Sequence, residues 1–301
     1  MIPIPSALVL MTPLTAARIG DQWFEIERCL TEAFARYSMI TTRDPVTLRR
    51  ELERLEPNVI VAAGGDGTVN LALQAMREND ALAVLPLGKA NDLAHFLGVR
   101  RNQDFIGSFV LHSTCYIDLL RVNDQRFCTT GGLGMPAEIA ARVNCLRQTN
   151  KGVWLENLGK SLYPLIAAGY CFDSPPMYDL AIEWKNLDNQ RWQRIKLKTP
   201  GLFVTNQSTF GRSMQVVADA DNADGRFELC VPLPRRRVPM LRLLANIVRC
   251  TAAANELLII RTQQARIHVN GDARFYGDGE ILCKARRFEL GIHPAGLRLL
   301  S

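Results

Sequence analysis

Two apolar runs of strand length, 59–63 and 81–86, each lead into a glycine-bearing turn and then a helical pattern, and few folds accommodate that order. The first stretch reads VIVAAGGDGTVN and the second ALAVLPLGKANDLAHFLG. Strands separated by helices of this length form βαβ units, which require a parallel sheet. The rest of the first third keeps the alternation. An apolar strand is predicted at 7–11, and Trp23, Ile26, Leu30, Ala33 and Phe34 have helical spacing within 21–37. After the extended piece SMITT comes DPVTLRRELERLEP. There Asp44 can cap, Pro45 suits the first helical turn and Pro57 stops the run. Helices are predicted over 69–78 and 91–97, the second closed by Gly98. Parallel strands one unit apart bring both glycine turns to the same carboxyl edge, where open α/β sheets bind ligands.

Gly64, Gly65 and Gly67 surround Asp66 directly after the strand. Glycine permits close backbone approach and positive φ. The N–H groups of such a turn lie beside the positive end of a helix, which suits phosphate. Three glycines are a costly way to make one ligand-free turn, so phosphate binding is the expectation, and two such loops on one edge suggest a nucleotide. The Walker pattern is absent, because Gly88-Lys89 lacks the upstream glycine and the following hydroxyl. GLGMPA, 132–137, nominally fits G-x-G-x-x-[GA] but stands outside a clear βαβ unit and is taken as chance.

Beyond about residue 116 the texture changes to short alternating runs broken by Asn-Asp, Asn-Gly and Asp-Gly turns. These predict hairpins and a largely antiparallel second domain, interrupted by helices over 137–147, 155–171 and 240–256. The expected division is an α/β domain at 1–120, a β-rich domain at 121–291, and a last segment, about 292–301, returning to the first.

With 48% hydrophobic and 22% charged residues in 301, the chain can bury a core and is not compositionally disordered. A formal charge of +6 suits anionic ligands or a lipid surface and does not single out nucleic acid. The eight cysteines are scattered without a CxxC pair, which argues against a zinc or redox site and for reduced thiols in the cytoplasm. MIPIPSALVLM lacks a basic leader and is too short to span a bilayer. The apolar stretch 242–260 is interrupted by Arg242, Asn246, Arg249 and Glu256. No transmembrane segment is expected, only peripheral membrane contact.

GGDGTVN and LPLGKANDLA resemble the GGDGT-N and PLGT-ND motifs of the diacylglycerol kinase catalytic family, especially the bacterial YegS-like lipid kinases of the NAD kinase/diacylglycerol kinase-like superfamily. YIDLLRVNDQRFCTTGGLGMPAEIA is similar to that family's I-D-L-G passage and glycine-rich stretch. LGKSLYPLIAAGY looks like its lipid-domain helix, VVADADNADGRFEL like its metal loop, and FYGDGE like its catalytic DGE. The motifs occur in the family's order and span nearly the whole chain.

The resemblance implies a parallel α/β nucleotide-binding domain and a mostly antiparallel β-sandwich domain, with the nucleotide in the cleft. It implies an ATP- and Mg2+-dependent kinase acting on a lipid hydroxyl of the diacylglycerol type. Gly64, Gly65, Asp66, Gly67, Thr68, Val69 and Asn70 would hold the nucleotide together with Gly88, Lys89, Asn91 and Asp92, with Thr41 or Thr42 near it. Asp224 would ligate magnesium with the backbone carbonyls of Asp221 and Arg226, and Asp66, Asp92 and Asp118 would reach the metal through water. Asp278 would be the general base and Glu280 its companion. Two departures are visible: Lys89 stands where the family has threonine, and Thr12-Pro13 stands where it has N-P-x-S-G. The alternatives are a kinase of a non-lipid acceptor such as NAD, or a nucleotide- or lipid-binding protein that has lost catalysis.

The chemistry is coherent from below. Phosphoryl transfer to an alcohol needs positioned phosphates, a hard cation and a proton acceptor. Alone, Asp-Gly is an ordinary type I′ hairpin turn, and DADNADG is as well a solvated acidic turn as a metal loop. Arg235, Arg236 and Arg237 precede a helix with Met240, Leu241, Leu244, Ile247 and Val248 on one stripe. A core-packing helix with a solvated basic loop is preferred there over an approach to an anionic bilayer. Trp154, Tyr163 and Tyr170 suit a lipid groove or a core equally.

Overall fold

In the computed structural model, the first apolar run forms β1 (Ala7–Met11), buried at every residue. The residues described are 6–20, 22–88, 91–99, 114–148, 165–166, 169–170, 176–210, 214–233, 236–248 and 256–300. Lys89, Trp154, Tyr163, Arg235 and all but four residues of the helix expected over 155–171 lie outside them. The chain divides into two units, Met1–Ile117 with Ala295–Ser301, and Asp118–Pro294.

In the first unit β1 is followed by α1 (Pro13–Arg18), whose N-cap Thr12 accepts the Thr15 N–H at 3.3 Å. Helix α2 (Gln22–Ala33) buries Ile26, Cys29, Leu30 and Ala33. Strand β2 (Tyr37–Thr41) leads to α3 (Pro45–Leu55), where Asp44 accepts the N–H groups of Val46 and Thr47 at 3.1 and 3.0 Å. Then come β3 (Val59–Gly64), α4 (Asp66–Ala75), β4 (Ala81–Pro86) and α5 (Asp92–Phe96). The strands are parallel in the order β2-β1-β3-β4. Arg298, Leu299 and Leu300 add a further parallel partner to Ala81, Leu82 and Ala83. The near-continuous apolar strands follow from burial on both faces; Val9, Val61 and Ala83 pack with Ile26 and Leu30 of α2 on one of them.

Helix α4 starts three residues earlier than the apolar spacing predicts. Gly65 is extended (φ −102, ψ −167) and serves as the N-cap, so Asp66, Gly67 and Thr68 form the first helical turn.

The second unit takes most of β5 (Thr114–Val122), then β6 (Gln125–Phe127), β7 (Thr130–Gly134) and α6 (Met135–Gln148). It continues through β8 (Tyr178–Lys185), β9 (Trp192–Thr199), β10 (Gly201–Thr205), β11 (Thr209–Phe210), β12 (Met214–Gln215) and β13 (Phe227–Pro232). It closes with α7 (Arg237–Val248), β14 (Leu257–Thr262), β15 (Gln264–Gly277) and β16 (Glu280–Leu300), whose end belongs to the first unit. Its pairings are antiparallel along β14-β13-β10-β7-β15, with β8 and β16 also on β15 and β9 on β8.

Alternation sorts the side chains. Leu202, Val204, Leu229 and Val231 join Phe275 and Phe288 in one core, while Phe203 and Cys230 face Met135, Ile139 and Val143 of α6 and Met240, Leu243 and Ile247 of α7. Met240, Leu241, Leu244 and Ile247 of the α7 stripe therefore pack into core, as preferred, and Tyr170 belongs to the same cluster. GLGMPA proves to be an antiparallel strand running into a helix. Gly132, at φ 152, sits where a Cβ would be 2.2 Å from the Leu202 carbonyl oxygen, so this glycine serves close strand packing.

Candidate functional site

In the first unit the two glycine turns meet. Gly64 is in register with Pro86, and the Leu87 N–H donates to the Gly64 carbonyl at 3.0 Å. A Cβ at Gly88 would lie 2.4 Å from the Gly65 Cα, and one at Gly64 would lie 2.1 Å from Thr68 Oγ1. None of Gly64, Gly65 and Gly67 has positive φ. The glycines here serve close approach, and the positive φ that the sequence also suggested is not used, because Gly65 continues extended into the helix cap.

Asp66 braces the junction: its Oδ1 accepts the Asp92 N–H at 2.7 Å and its Oδ2 the Asn91 N–H at 3.1 Å. Asn91 stands at φ 52, where asparagine is tolerated. Its amide closes on Gly88, accepting the N–H at 3.1 Å and donating to the carbonyl at 2.8 Å. Thr68, Val69 and Asn70 are buried, whereas Gly65, Asp66, Gly67, Gly88, Asn91 and Asp92 are half-buried. The reachable part of the expected nucleotide set is thus the first turn of α4 and the start of α5. Thr41 ends β2, exposed, at the carboxyl edge that Gly64 and Pro86 share. Thr42 donates its N–H to the Met11 carbonyl, and its Oγ1 accepts the Asp44 N–H, both at 3.0 Å.

In the second unit Asp278-Gly279 is the two-residue turn between β15 and β16, closed by the Gly277–Glu280 pair. Both residues have positive φ, 51 and 83, as a type I′ turn requires. Hairpin tips are normally solvated, yet Asp278 is only 6% exposed. Its carboxylate accepts the Cys128 N–H at 3.1 Å, the Thr129 N–H at 2.8 Å and the Thr129 hydroxyl at 2.6 Å. Its own N–H donates to the Thr130 carbonyl at 2.9 Å. Gly277 permits the approach, since a Cβ there would stand 2.8 Å from the Phe127 Cβ. Glu280 opens β16 with its side chain exposed.

The acidic loop is held from β5. Asp118 is buried, donates its N–H to the Asn222 carbonyl at 2.7 Å and accepts the Gly225 N–H on Oδ2 at 2.7 Å. Asp224 accepts the Arg226 N–H at 3.1 Å and Arg226 Nε at 2.6 Å. Asp221 is exposed and accepts the Ala223 N–H at 3.0 Å. Two residues past Arg226, Glu228 is buried, 3.4 Å from both Arg261 Nε and the Thr205 hydroxyl. Burial, then the negative charge of Asp224, pushes its carboxyl up to about 7 against the pull of Arg261.

Among the described residues no three His, Cys, Asp or Glu side chains gather into a metal cluster. Asp224 is the carboxylate that a magnesium ion would take there, and in this structure both of its oxygens are engaged by Arg226, Oδ1 by the backbone N–H and Oδ2 by Nε.

The structure brings Asp66, Gly88, Asn91 and Asp92 together in the first unit. In the second it places Cys128 and Thr129 on Asp278, bonds Asn206 to Cys128 and sets Glu228 beside the Thr205 hydroxyl, placements that the sequence reading did not single out. The available signals were a threonine pair before a glycine-rich strand and an asparagine directly after the apolar run 201–205.

Residues 6–122 match the diacylglycerol kinase catalytic domain family, and residues 177–301 match the YegS C-terminal NAD kinase beta sandwich-like domain. A diacylglycerol kinase of Bacillus subtilis (strain 168) is 26% identical over 234 residues, 75% of this chain and 72% of that protein. A solved diacylglycerol kinase from Bacillus anthracis str. Sterne superposes with a TM-score of 0.73 and 17% identity, covering 99% of this chain and 96% of that one. An NAD kinase from Archaeoglobus fulgidus, solved in complex with ATP, superposes with a TM-score of 0.53 and 13% identity over 99% and 94% of the two chains. At these identities the structural likenesses establish the shared fold.

Proposed function

We propose that this chain, whose residues 6–122 match the diacylglycerol kinase catalytic domain family and 177–301 the YegS C-terminal domain, is an ATP- and Mg2+-dependent lipid kinase transferring the γ-phosphoryl group to a lipid hydroxyl of the diacylglycerol type. The observation that carries this reading is Asp278. A carboxylate at a hairpin tip, buried and gripped by two N–H groups and a hydroxyl, is oriented for a task that a solvated turn does not need.

Each part of the reaction has residues to perform it. The first turn of α4 offers backbone N–H groups to phosphate, with Gly65 and Gly88 keeping side chains out of the way, while the N–H groups of Asn91 and Asp92 are taken up by Asp66. Asp278 accepts the proton of the acceptor hydroxyl, and the Thr129 and Cys128 contacts hold its oxygens in place. In a loose transition state that proton leaves late, so positioning matters more than basicity. Magnesium, when bound, supplies charge neutralisation of the phosphates; Asp224 and the carbonyls of Asp221 and Arg226 would hold it. Among the described residues no helix is long and apolar enough to cross a membrane. Contact with a lipid surface is supported by Leu233 and Val238, 45% and 77% exposed, beside the exposed Arg236 at the start of α7.

The test incubates the protein with labelled ATP, Mg2+ and vesicles containing diacylglycerol, beside an Asp278→Asn variant and a parallel arm offering NAD. Label in the organic-soluble product, lost in the variant, is the expected result. Label in NAD alone, or lipid label that survives Asp278→Asn, would overturn the reading.

A further inference from the structure

Asn206 directly follows β10 and is fully buried, and none of the motifs above gives it a task. Its Nδ2 donates to two carbonyls, those of Asp118 and Cys128, each at 3.0 Å. Its backbone N–H donates to the Thr129 carbonyl, also at 3.0 Å. Cys128 and Thr129 join β6 to β7 and belong to neither strand, so their backbone groups need partners other than a strand ladder. Asn206 satisfies both carbonyls, and on the N–H side the same two residues grip the Asp278 carboxylate. The third carbonyl belongs to Asp118, which binds Asn222 and Gly225 of the acidic loop. One amide therefore joins the segment that holds Asp278 to the segment that holds the acidic loop. With Nδ2 committed to two carbonyls the amide has one orientation, and its Oδ1 is buried without a partner among the described residues.

We infer that Asn206 is a positioning residue for Asp278, setting the Cys128–Thr129 peptide that grips the carboxylate and keeping it in register with Asp118. The inference rests on the reading of Asp278 as the base; the clamp on the peptide does not. Removing the amide takes a donor from each of two carbonyls and lets the peptide drift, and a displacement of about 1 Å at a reacting group costs on the order of 100-fold in rate.

Two measurements on Asn206→Ala test this. Amide exchange should quicken at least about tenfold at Cys128 and Thr129, while Val204 in the β10–β13 ladder stays within about twofold. In turnover, kcat should fall about 10- to 100-fold with the ATP KM unchanged, yet by less than about twofold when Asp278 is already Asn. A merely structural role would lower both backgrounds alike, and that result overturns the inference. Unchanged exchange at Cys128 and Thr129 overturns the clamp whatever the activity. Quickened exchange in a protein that phosphorylates no lipid upholds the clamp and refutes the base assignment alone. Should Asn206→Ala fail to fold, Asn206→Ser keeps one donor and should give both effects at reduced size.

Discussion

Replacing Gly88 by alanine tests why the glycine turns exist. The new Cβ would stand 2.4 Å from the Gly65 Cα, 2.6 Å from Asn91 Oδ1 and 3.0 Å from the Gly65 nitrogen. Carbon atoms in contact relax at about 3.5–4.0 Å, so the two turns must part by roughly 1 Å. Overpacking of this kind costs about 1–3 kcal/mol. Two of the three close atoms are backbone, which cannot rotate away, so the upper end applies. Parting the turns also strains the paired bonds between Asn91 and Gly88 and the two from Asp66, each contributing about 1 kcal/mol. A loss of about 3 kcal/mol, roughly 100-fold in the folding equilibrium, is expected in urea unfolding without nucleotide. Gly98→Ala is the control: its φ is +75 and its Cβ meets nothing within 4 Å. It should cost only the left-handed penalty of about 1–2 kcal/mol. If Gly88→Ala unfolds with wild-type stability while ATP binding disappears, the glycine serves the ligand alone and the packing argument is wrong.

Asp66→Ala should destabilise the first unit by about 2 kcal/mol, because the start of α5 loses the acceptor of two N–H groups; urea midpoints equal to wild type would refute that bracing role. Glu228 sets a pH dependence. The native carboxyl ionises near 7 and the unfolded one near 4.5, so its contribution is fully present below about 4.5 and lost as pH rises through about 7. In EDTA, Glu228→Gln should remove that dependence and exceed wild type above pH 8 by on the order of 2–3 kcal/mol; parallel stability curves for the two proteins would contradict it. Chelation should abolish lipid phosphorylation and added Mg2+ should restore it, measured as label in extracted lipid, with full turnover in EDTA as the contrary result.

Much of the fold was legible because it is written in local patterns. The apolar runs at 59–63 and 81–86 are strands because fully buried parallel strands need no polar face, and the helices between them follow from spacing and caps such as Asp44. The Asp278-Gly279 hairpin was equally readable, since type I′ geometry selects that dipeptide. Boundaries were less so. The sequence GGDGT looks like a loop, but Gly65 caps a helix that already contains Asp66, because closing on the Gly88 turn favours a short junction.

Which atoms meet was another matter. Composition and turn chemistry mark Asp278 as a turn residue and motif order marks it as a base, but neither reveals that Cys128 and Thr129, about 150 residues earlier, supply its donors. Asn206 appears in the sequence as an ordinary residue at the end of a strand; its bonds to Asp118 and Cys128 exist only because β7 and β10 pair. Sequence by itself determined the strand and helix periods, the parallel first unit and the order of the acidic and glycine-rich turns, since each depends on neighbours within a few residues. Tertiary structure alone decided that Gly65 touches Gly88, that Asp66 caps a second helix and that a hairpin aspartate is buried, because sheet register sets which distant backbone groups come within hydrogen-bond reach.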